Sequence, residues 1–174
     1  MTEACVYIGL GSNIEPESNI PRALELLARG LRLTALSTFY RTEPVGPPGQ
    51  PFFFNGVACG LTSRPPRPLK FEFLRAIEAQ LGRQREAGGK YLPRSIDLDI
   101  LVYGDLAVRE PDLVIPDPDL DRRPFLAAAL LELAPDLVLP GARTPLRLAQ
   151  PGGMLEPLTE FSQRLRERFI TSKL

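Results

Sequence analysis

An α+β chain with a βαββαβ order of elements is what the sequence predicts, and three observations predict it. Apolar runs with strand-like alternation or β-branched and aromatic content fall at residues 4–10, 31–40, 52–61 and 95–103. Runs with helical spacing follow the first and third of these, at about 16–29 and 66–82. The 174 residues suit one domain with a real core. That order matches the ferredoxin-like, split βαβ plan, a mostly antiparallel sheet with helices packed on it. A core of about residues 4–140 is expected, followed by a C-terminal helical extension over 141–174.

The first strand ends in GLGSNI. Position 14 is Ile, so the third glycine of a dinucleotide loop is missing, and GxxxxGK[ST] does not fit either. The stretch reads as a tight strand-to-helix turn with Ser12 and Asn13 as polar turn formers. The helix to about residue 29 puts Leu24, Leu27 and Ala28 on one face, with Pro16 or Pro21 near its start. Residues 31–40 read as the second strand. The loop 41–51, RTEPVGPPGQP, is stiffened by its prolines, and long loops in compact domains are often functional. The third strand, 52–61, has Phe53, Asn55, Val57 and Cys59 on one face. Phe52, Phe53 and Phe54 cannot all point inward, so either one is a ligand platform beside the Asn55 amide or the strand is core with a polar interruption. The second helix turns Leu74, Ile77 and Leu81 to the core and stops at Gly82. Residues 83–93 form a polar loop, either a lid for phosphates or a solvated hinge.

The central strand follows in KYLPRSIDLDILVY, residues 90–103. Alternation from Ser95 sets Ile96, Leu98, Ile100 and Val102 on one face, and Asp97, Asp99, Leu101 and Tyr103 on the other. The two carboxylates lie roughly 7 Å apart along the strand. Side by side on an apolar strand they repel, and something positive should sit between them. They are either solvated aspartates of an edge strand or hard oxygen ligands for one or two Mg²⁺ ions. Lys90 and Arg94 just before them favour a magnesium nucleotide. A short strand at 106–108, an irregular run at 112–125, a buried helix at 125–133 and an edge strand at 137–139 complete the core. In the tail, a helix over 156–170 carries the stripe Leu158, Phe161, Leu165 and Phe169, expected to pack on the domain.

Composition removes several function classes. Lys plus Arg and Asp plus Glu are both 21, which argues against a broad nucleic-acid surface. There is no histidine, so a His triad, a His-ligated zinc and a His general base are excluded. No apolar run reaches membrane-spanning length, and the N-terminus lacks a signal-like segment, so a cytoplasmic chain is expected. Cys5 and Cys59 form no CxxC pair and read as reduced, buried thiols.

Five motifs then coincide in order: YIGLGSNI, FYRTEPVGPPGQPFFFN, IEAQLGR, PRSIDLDILVYGD and IPDPDLDRRPFLAAALLELAPDLVLP. Together they resemble the 6-hydroxymethyl-7,8-dihydropterin pyrophosphokinase family of folate biosynthesis, over about residues 4–140. The resemblance implies transfer of diphosphate from ATP to the pterin hydroxymethyl group, release of AMP, and two Mg²⁺ ions. It implies Asp97 and Asp99 as metal ligands and Arg83 and Arg94 beside them as catalytic residues. On the ATP side it implies Glu78, Arg85, Lys90, Tyr91, Arg94, Ile100, Asp117 and Arg123. The pterin would lie between Phe53 and Phe125, its edge read by Asn55 and the backbone around Thr42, Pro44 and Val45. Loops 41–51 and 84–93 would be lids. Three positions depart from the family pattern: Asp117 stands where His is usual, Phe53 where Tyr is frequent, and Leu92 where a small residue precedes the Pro-Arg pair. The expected partners are ATP and a reduced pterin, with no nucleic acid and no membrane. A monomer is expected, the tail being the one place for a weak dimer. The competing readings are a non-catalytic pterin- or nucleotide-binding relative and a metal-dependent phosphohydrolase.

Overall fold

The computed structural model describes residues 2–83, 92–148 and 155–170. In chain order the elements are β1 (Ala4–Ser12), α1 (Pro16–Leu27), β2 (Arg32–Leu36), β3 (Tyr40–Thr42) and β4 (Phe53–Thr62). Then come α2 (Pro66–Pro68), a π-helical segment (Leu69–Leu74), α3 (Arg75–Gln80), β5 (Asp97–Tyr103), β6 (Val108–Glu110) and β7 (Leu113–Ile115). A 3-10 turn (Pro118–Leu120), α4 (Pro124–Leu133), β8 (Glu156–Pro157) and α5 (Thr159–Phe169) complete the chain. The architecture is α+β. Six strands form an antiparallel sheet in the order β5-β1-β4-β3-β8, with β2 also on β4.

Two apolar cores lie on the two faces of this sheet. One gathers Ile8, Leu10, Ile20, Leu24, Leu74 and Leu98 under α1, the 66–80 helical run and α5. The other packs Val57, Leu101 and Val102 against Leu126, Ala129 and Leu130 of α4. The tail helix faces its own domain, with Phe161 and Leu165 buried and Leu158 and Phe169 beside them. Its Ser162 Oγ accepts the Phe39 N–H at 2.7 Å.

Several elements differ from the sequence expectation, each for a local reason. Residues 31–40 form two strands. Ser37 breaks the ladder because its buried Oγ accepts the Val57 N–H at 2.8 Å. Phe39 then turns into the core over Gly56, where an added Cβ would lie 2.7 Å from the ring. Residues 66–80 are helical, but their middle is π-helical. Leu69 and Leu74 are both buried and five apart, a spacing that a π turn keeps on one face. The alternation of β5 slips at its end. A register shift between Tyr7 and Ile8 leaves Leu101 without a partner on β1. Leu101 and Val102 therefore share the α4 face, and Tyr103 crosses to the other core. β5 is also an edge strand rather than a central one. The first helix ends at Leu27, leaving Ala28 exposed. Residues 108–115 make a hairpin, 137–139 pack irregularly on the α4 core, and the tail helix begins at Thr159.

Candidate active site

The outer edge of β5 is where the site is built. An exposed edge leaves backbone groups unpaired, and here side chains from the 66–80 run meet them. The Leu98 N–H donates to Glu78 Oε1 at 2.9 Å. The Leu98 carbonyl accepts Lys70 Nζ at 2.9 Å. Glu78 is 2% exposed, and its carboxylate also takes Arg83 at 2.7 Å. Arg83 in turn reaches Asp97 Oδ1 at 2.6 Å, while Arg94 takes Asp97 Oδ2 at 2.6 Å. Lys70 Nζ lies 2.7 Å from Asp99 Oδ1. The positive charge expected near the two aspartates is thus present in Lys70, Arg83 and Arg94.

The two carboxylates titrate apart. Burial pushes Asp97 up, but the Arg83 and Arg94 guanidiniums outweigh it and hold Asp97 below its ordinary value. Burial, then the neighbouring Asp97 charge, push Asp99 up to about 6 against the pull of Lys70. Its side chain is nonetheless 44% accessible, through the cavity it faces. Asp97 and Asp99 are hard oxygen donors on the wall of one cavity, and that donor set fits Mg²⁺. Among the described residues no cluster of three or more His, Cys, Asp or Glu could hold a metal.

Arg94 is placed from its backbone. Asn13 and Ile14 donate their N–H groups to the Arg94 carbonyl at 3.1 and 3.2 Å. The Arg94 N–H donates back to Asn13 Oδ1 at 2.7 Å, and Asn13 Nδ2 donates to the Pro51 carbonyl at 3.3 Å. The GSN turn therefore ties β1, Arg94 and the 43–52 loop together.

Two cavities meet here. The first, of about 370 Å³, is lined by Lys70, Arg83, Arg94, Asp97, Asp99 and Arg123 among others. The second, of about 770 Å³, lies between Phe53 and Phe125 and is walled by Thr42, Val45 and the tail residues 155–157. Asn55, Arg94, Asp97, Arg123 and Phe125 line both. The Asn55 amide donates to Thr42 Oγ1 at 2.7 Å, which fixes its orientation. Its cross-strand partner is Gly11, where an added Cβ would lie 2.5 Å from Asn55 Oδ1.

Of the residues the sequence singled out, Arg83, Arg94, Asp97, Asp99, Asp117, Arg123, Thr42, Val45, Phe53, Asn55 and Phe125 all line one or both cavities. Asp117 does so while capping the 3-10 turn, its Oδ1 accepting the Asp119 N–H at 2.8 Å, and burial raises its carboxyl. Glu78 lines neither cavity and sits behind Arg83 as its anchor. Ile100 is 3% exposed in the opposite core, and Pro44 is half-buried off the cavity walls. Arg85, Lys90 and Tyr91 lie outside the described residues. The sequence reading missed Lys70, Gly11 and Asn13. Lys70 lies four residues before Leu74 on the stripe of Leu74, Ile77 and Leu81, and that helical spacing was the signal for an inward side chain.

Similarity to known proteins identifies the family. The model of the 7,8-dihydro-6-hydroxymethylpterin-pyrophosphokinase (HPPK) family matches residues 7–135. A 2-amino-4-hydroxy-6-hydroxymethyldihydropteridine pyrophosphokinase of Pseudomonas aeruginosa is 42% identical, over 79% of this chain and 85% of its own length. One of Aquifex aeolicus is 37% identical, over 88% of this chain and 95% of its own. A solved Plasmodium falciparum HPPK-DHPS superposes with a TM-score of 0.65 at 13% identity, over 97% of this chain. The chain spans 45% of the length of that structure, and the likeness shows the fold alone. On the family match and the identity to its relatives, the chain belongs to the 7,8-dihydro-6-hydroxymethylpterin-pyrophosphokinase family.

Proposed function

We propose that the chain moves the β,γ-diphosphate of ATP onto the hydroxymethyl oxygen of 6-hydroxymethyl-7,8-dihydropterin and releases AMP. The observation that carries this reading is the seam between the two cavities. A charged cavity suited to a polyphosphate opens into an aromatic one suited to a flat heterocycle, with Arg94, Asp97 and Asn55 on the walls of both. The pterin hydroxyl oxygen forms a bond to the β-phosphorus and gives up its proton to solvent, as the bond from that phosphorus to the α-phosphate oxygen breaks and that oxygen leaves on AMP. Positioning and charge neutralisation supply most of such a barrier reduction. Arg94 and Arg83 present planar donors to phosphate oxygens, the one tied through its backbone and the other through Glu78. Phe53 and Phe125 bind the ring faces, and Asn55, oriented by Thr42, reads the pterin edge. Mg²⁺ held by Asp97 and Asp99 would neutralise phosphate charge and acidify the attacking hydroxyl.

The sheet order supports a ferredoxin-like reading as well. Each β-α-β crossover, from β1 to β2 and from β4 to β5, leaves one antiparallel strand between its ends. The free thiols of Cys5 and Cys59 support a reducing, cytoplasmic setting. Among the described residues no helix is long and apolar enough to cross a membrane. The inward stripe of α5 supports a monomer.

The test is AMP formation from ATP and Mg²⁺, with and without 6-hydroxymethyl-7,8-dihydropterin. AMP that appears only with the pterin is the expected result. Phosphate or ADP formed without it would replace the reading with a phosphohydrolase, and two bound ligands without AMP would replace it with a binding protein.

A further inference from the structure

Lys70 is a charged residue without a place in the function so far described. Its side chain is only 15% exposed, and its Nζ is shared between the Leu98 carbonyl at 2.9 Å and Asp99 Oδ1 at 2.7 Å. It lines the charged cavity with Arg83 and Arg94. Among the described residues that line this cavity, Lys70, Arg83, Arg94 and Arg123 match Asp97, Asp99, Asp117 and Asp119 in number. Glu78, Asp97 and Asp99 face Arg83, Arg94 and Lys70, each carboxylate within hydrogen-bond reach of a cation. Asp117 and Asp119 on the far wall face Arg123, which lies 3.2 Å from Asp119.

A bare divalent cation reaching Asp99 meets that balance as an excess of two positive charges. It must either displace the Lys70 ammonium or lie within a few Å of it, and like charges that close repel strongly below a protein surface. A cation that arrives with a polyphosphate brings compensating charge, and the displaced ammonium gains phosphate oxygens in place of Asp99. Lys70 stands four residues before the buried Leu74, on the helical stripe that continues through the buried Ile77 and Leu81, which turns its side chain inward.

We propose that Lys70 is a positioning residue that couples cation entry to nucleotide entry: paired with Asp99 and the Leu98 carbonyl, it disfavours a free divalent ion and admits the ion with ATP. The inference rests on the proposed reading of Asp97 and Asp99 as Mg²⁺ ligands.

The experiment measures binding of Mn²⁺ alone, without nucleotide, by electron paramagnetic resonance. Mn²⁺ takes the same oxygen donors as Mg²⁺. The chains are the full-length protein and its Lys70→Gln, Lys70→Met and Lys70→Arg variants, each checked for a cooperative thermal transition. Lys70→Gln keeps a donor on this side of the Leu98 carbonyl, so it decides the matter if Lys70→Met does not fold. Lys70→Gln is expected to bind Mn²⁺ at least ~10-fold more tightly than the parent, from loss of one like charge at close range. Lys70→Arg, which keeps the charge, should stay within about threefold. Equal affinity of parent and Lys70→Gln, including no measurable binding in either, overturns the inference. Pterin-dependent AMP formation is assayed separately. A shift in Mn²⁺ affinity without AMP would sink the proposed reaction and leave the coupling standing; AMP without the shift would do the reverse.

Discussion

Asp97 and Asp99 are two residues apart on one face of β5, yet their surroundings ask different things of them. Asp97 is clamped by two guanidiniums and holds the partly buried Arg83 in place. Asp99 faces the cavity and is held by one ammonium. Alanine at either position should abolish turnover, because each removes a carboxylate from the charged cavity. Stability should separate them. Asp97→Ala leaves Arg83 and Arg94 short of a partner and is expected to cost about 2 kcal/mol. Asp99→Ala should change stability by less than about 1 kcal/mol, since the group is half-exposed. Denaturant unfolding of both variants measures the difference; equal losses would contradict the unequal clamping. Their titration has a sign as well. The folded chain keeps a proton on Asp99 up to about pH 6, whereas an unfolded aspartate releases it near the ordinary value of 3.8. Between those values the folded state binds more protons, so this group lowers stability as pH rises through that window and adds no further change above it. The stability of the parent minus that of Asp99→Asn should therefore fall from pH 4 to 6 and then level off. Gly11 makes a third case. Its role is room for the Asn55 amide, since a Cβ there would lie 2.5 Å from Asn55 Oδ1. Asn55 is a side-chain end and can move, so Gly11→Ala should keep the fold. It should raise the KM for the pterin by roughly tenfold through loss of an oriented polar contact, with a smaller change in that for ATP.

At the scale of elements, the tail helix α5 is part of the core. Phe161 packs edge-on against Phe39 and Phe54, with ring centroids 5.7 and 5.4 Å away. Phe161→Ala should cost about 3–5 kcal/mol, read from denaturant unfolding. A loss below about 1 kcal/mol would mean that α5 is a loosely attached appendage. The inward stripe of this helix was legible in the sequence because helical spacing needs no knowledge of the rest of the fold. The same locality explains Asp97 and Asp99, since any strand keeps alternate residues on one face. It also explains the misses. The shift that puts Leu101 and Val102 on one face arises where β5 meets Tyr7 and Ile8, a pairing no local pattern encodes. An edge strand covered by side chains such as Glu78 and Lys70 reads like a central one. Gly11 could be understood only once β1 and β4 set it opposite Asn55. Elements and carboxylates could be read ahead of the structure; cross-strand partners could not.

At the scale of the whole molecule, one wall serves two cavities. Arg94 and Asp97 come from the segment entering β5, Asn55 from β4, and Phe125 from the start of α4. These elements meet on the α4 face of one continuous sheet, and the Asn13 hydrogen bonds tie the β5 approach to the loop after β3. A ligand that orders Arg94 and Asp97 in the charged cavity therefore orders part of the aromatic one. The ordering free energy is spent by whichever ligand arrives first, so the second should bind more tightly. We predict that Mg²⁺ with a non-hydrolysable α,β-methylene analogue of ATP tightens pterin binding at least ~5-fold, within the usual range for coupled sites. By linkage the pterin must tighten the nucleotide analogue by the same factor. Calorimetric titration in both orders measures the two factors independently. Unequal factors would mean that one titration was not at equilibrium. A factor of one in both would mean that the shared wall is rigid before either ligand arrives. Asn13→Ala tells a rigid wall from a tied one. It removes the side-chain acceptor of the Arg94 N–H and the donor to the Pro51 carbonyl, so it should reduce the coupling factor more than it reduces the affinity for either ligand alone.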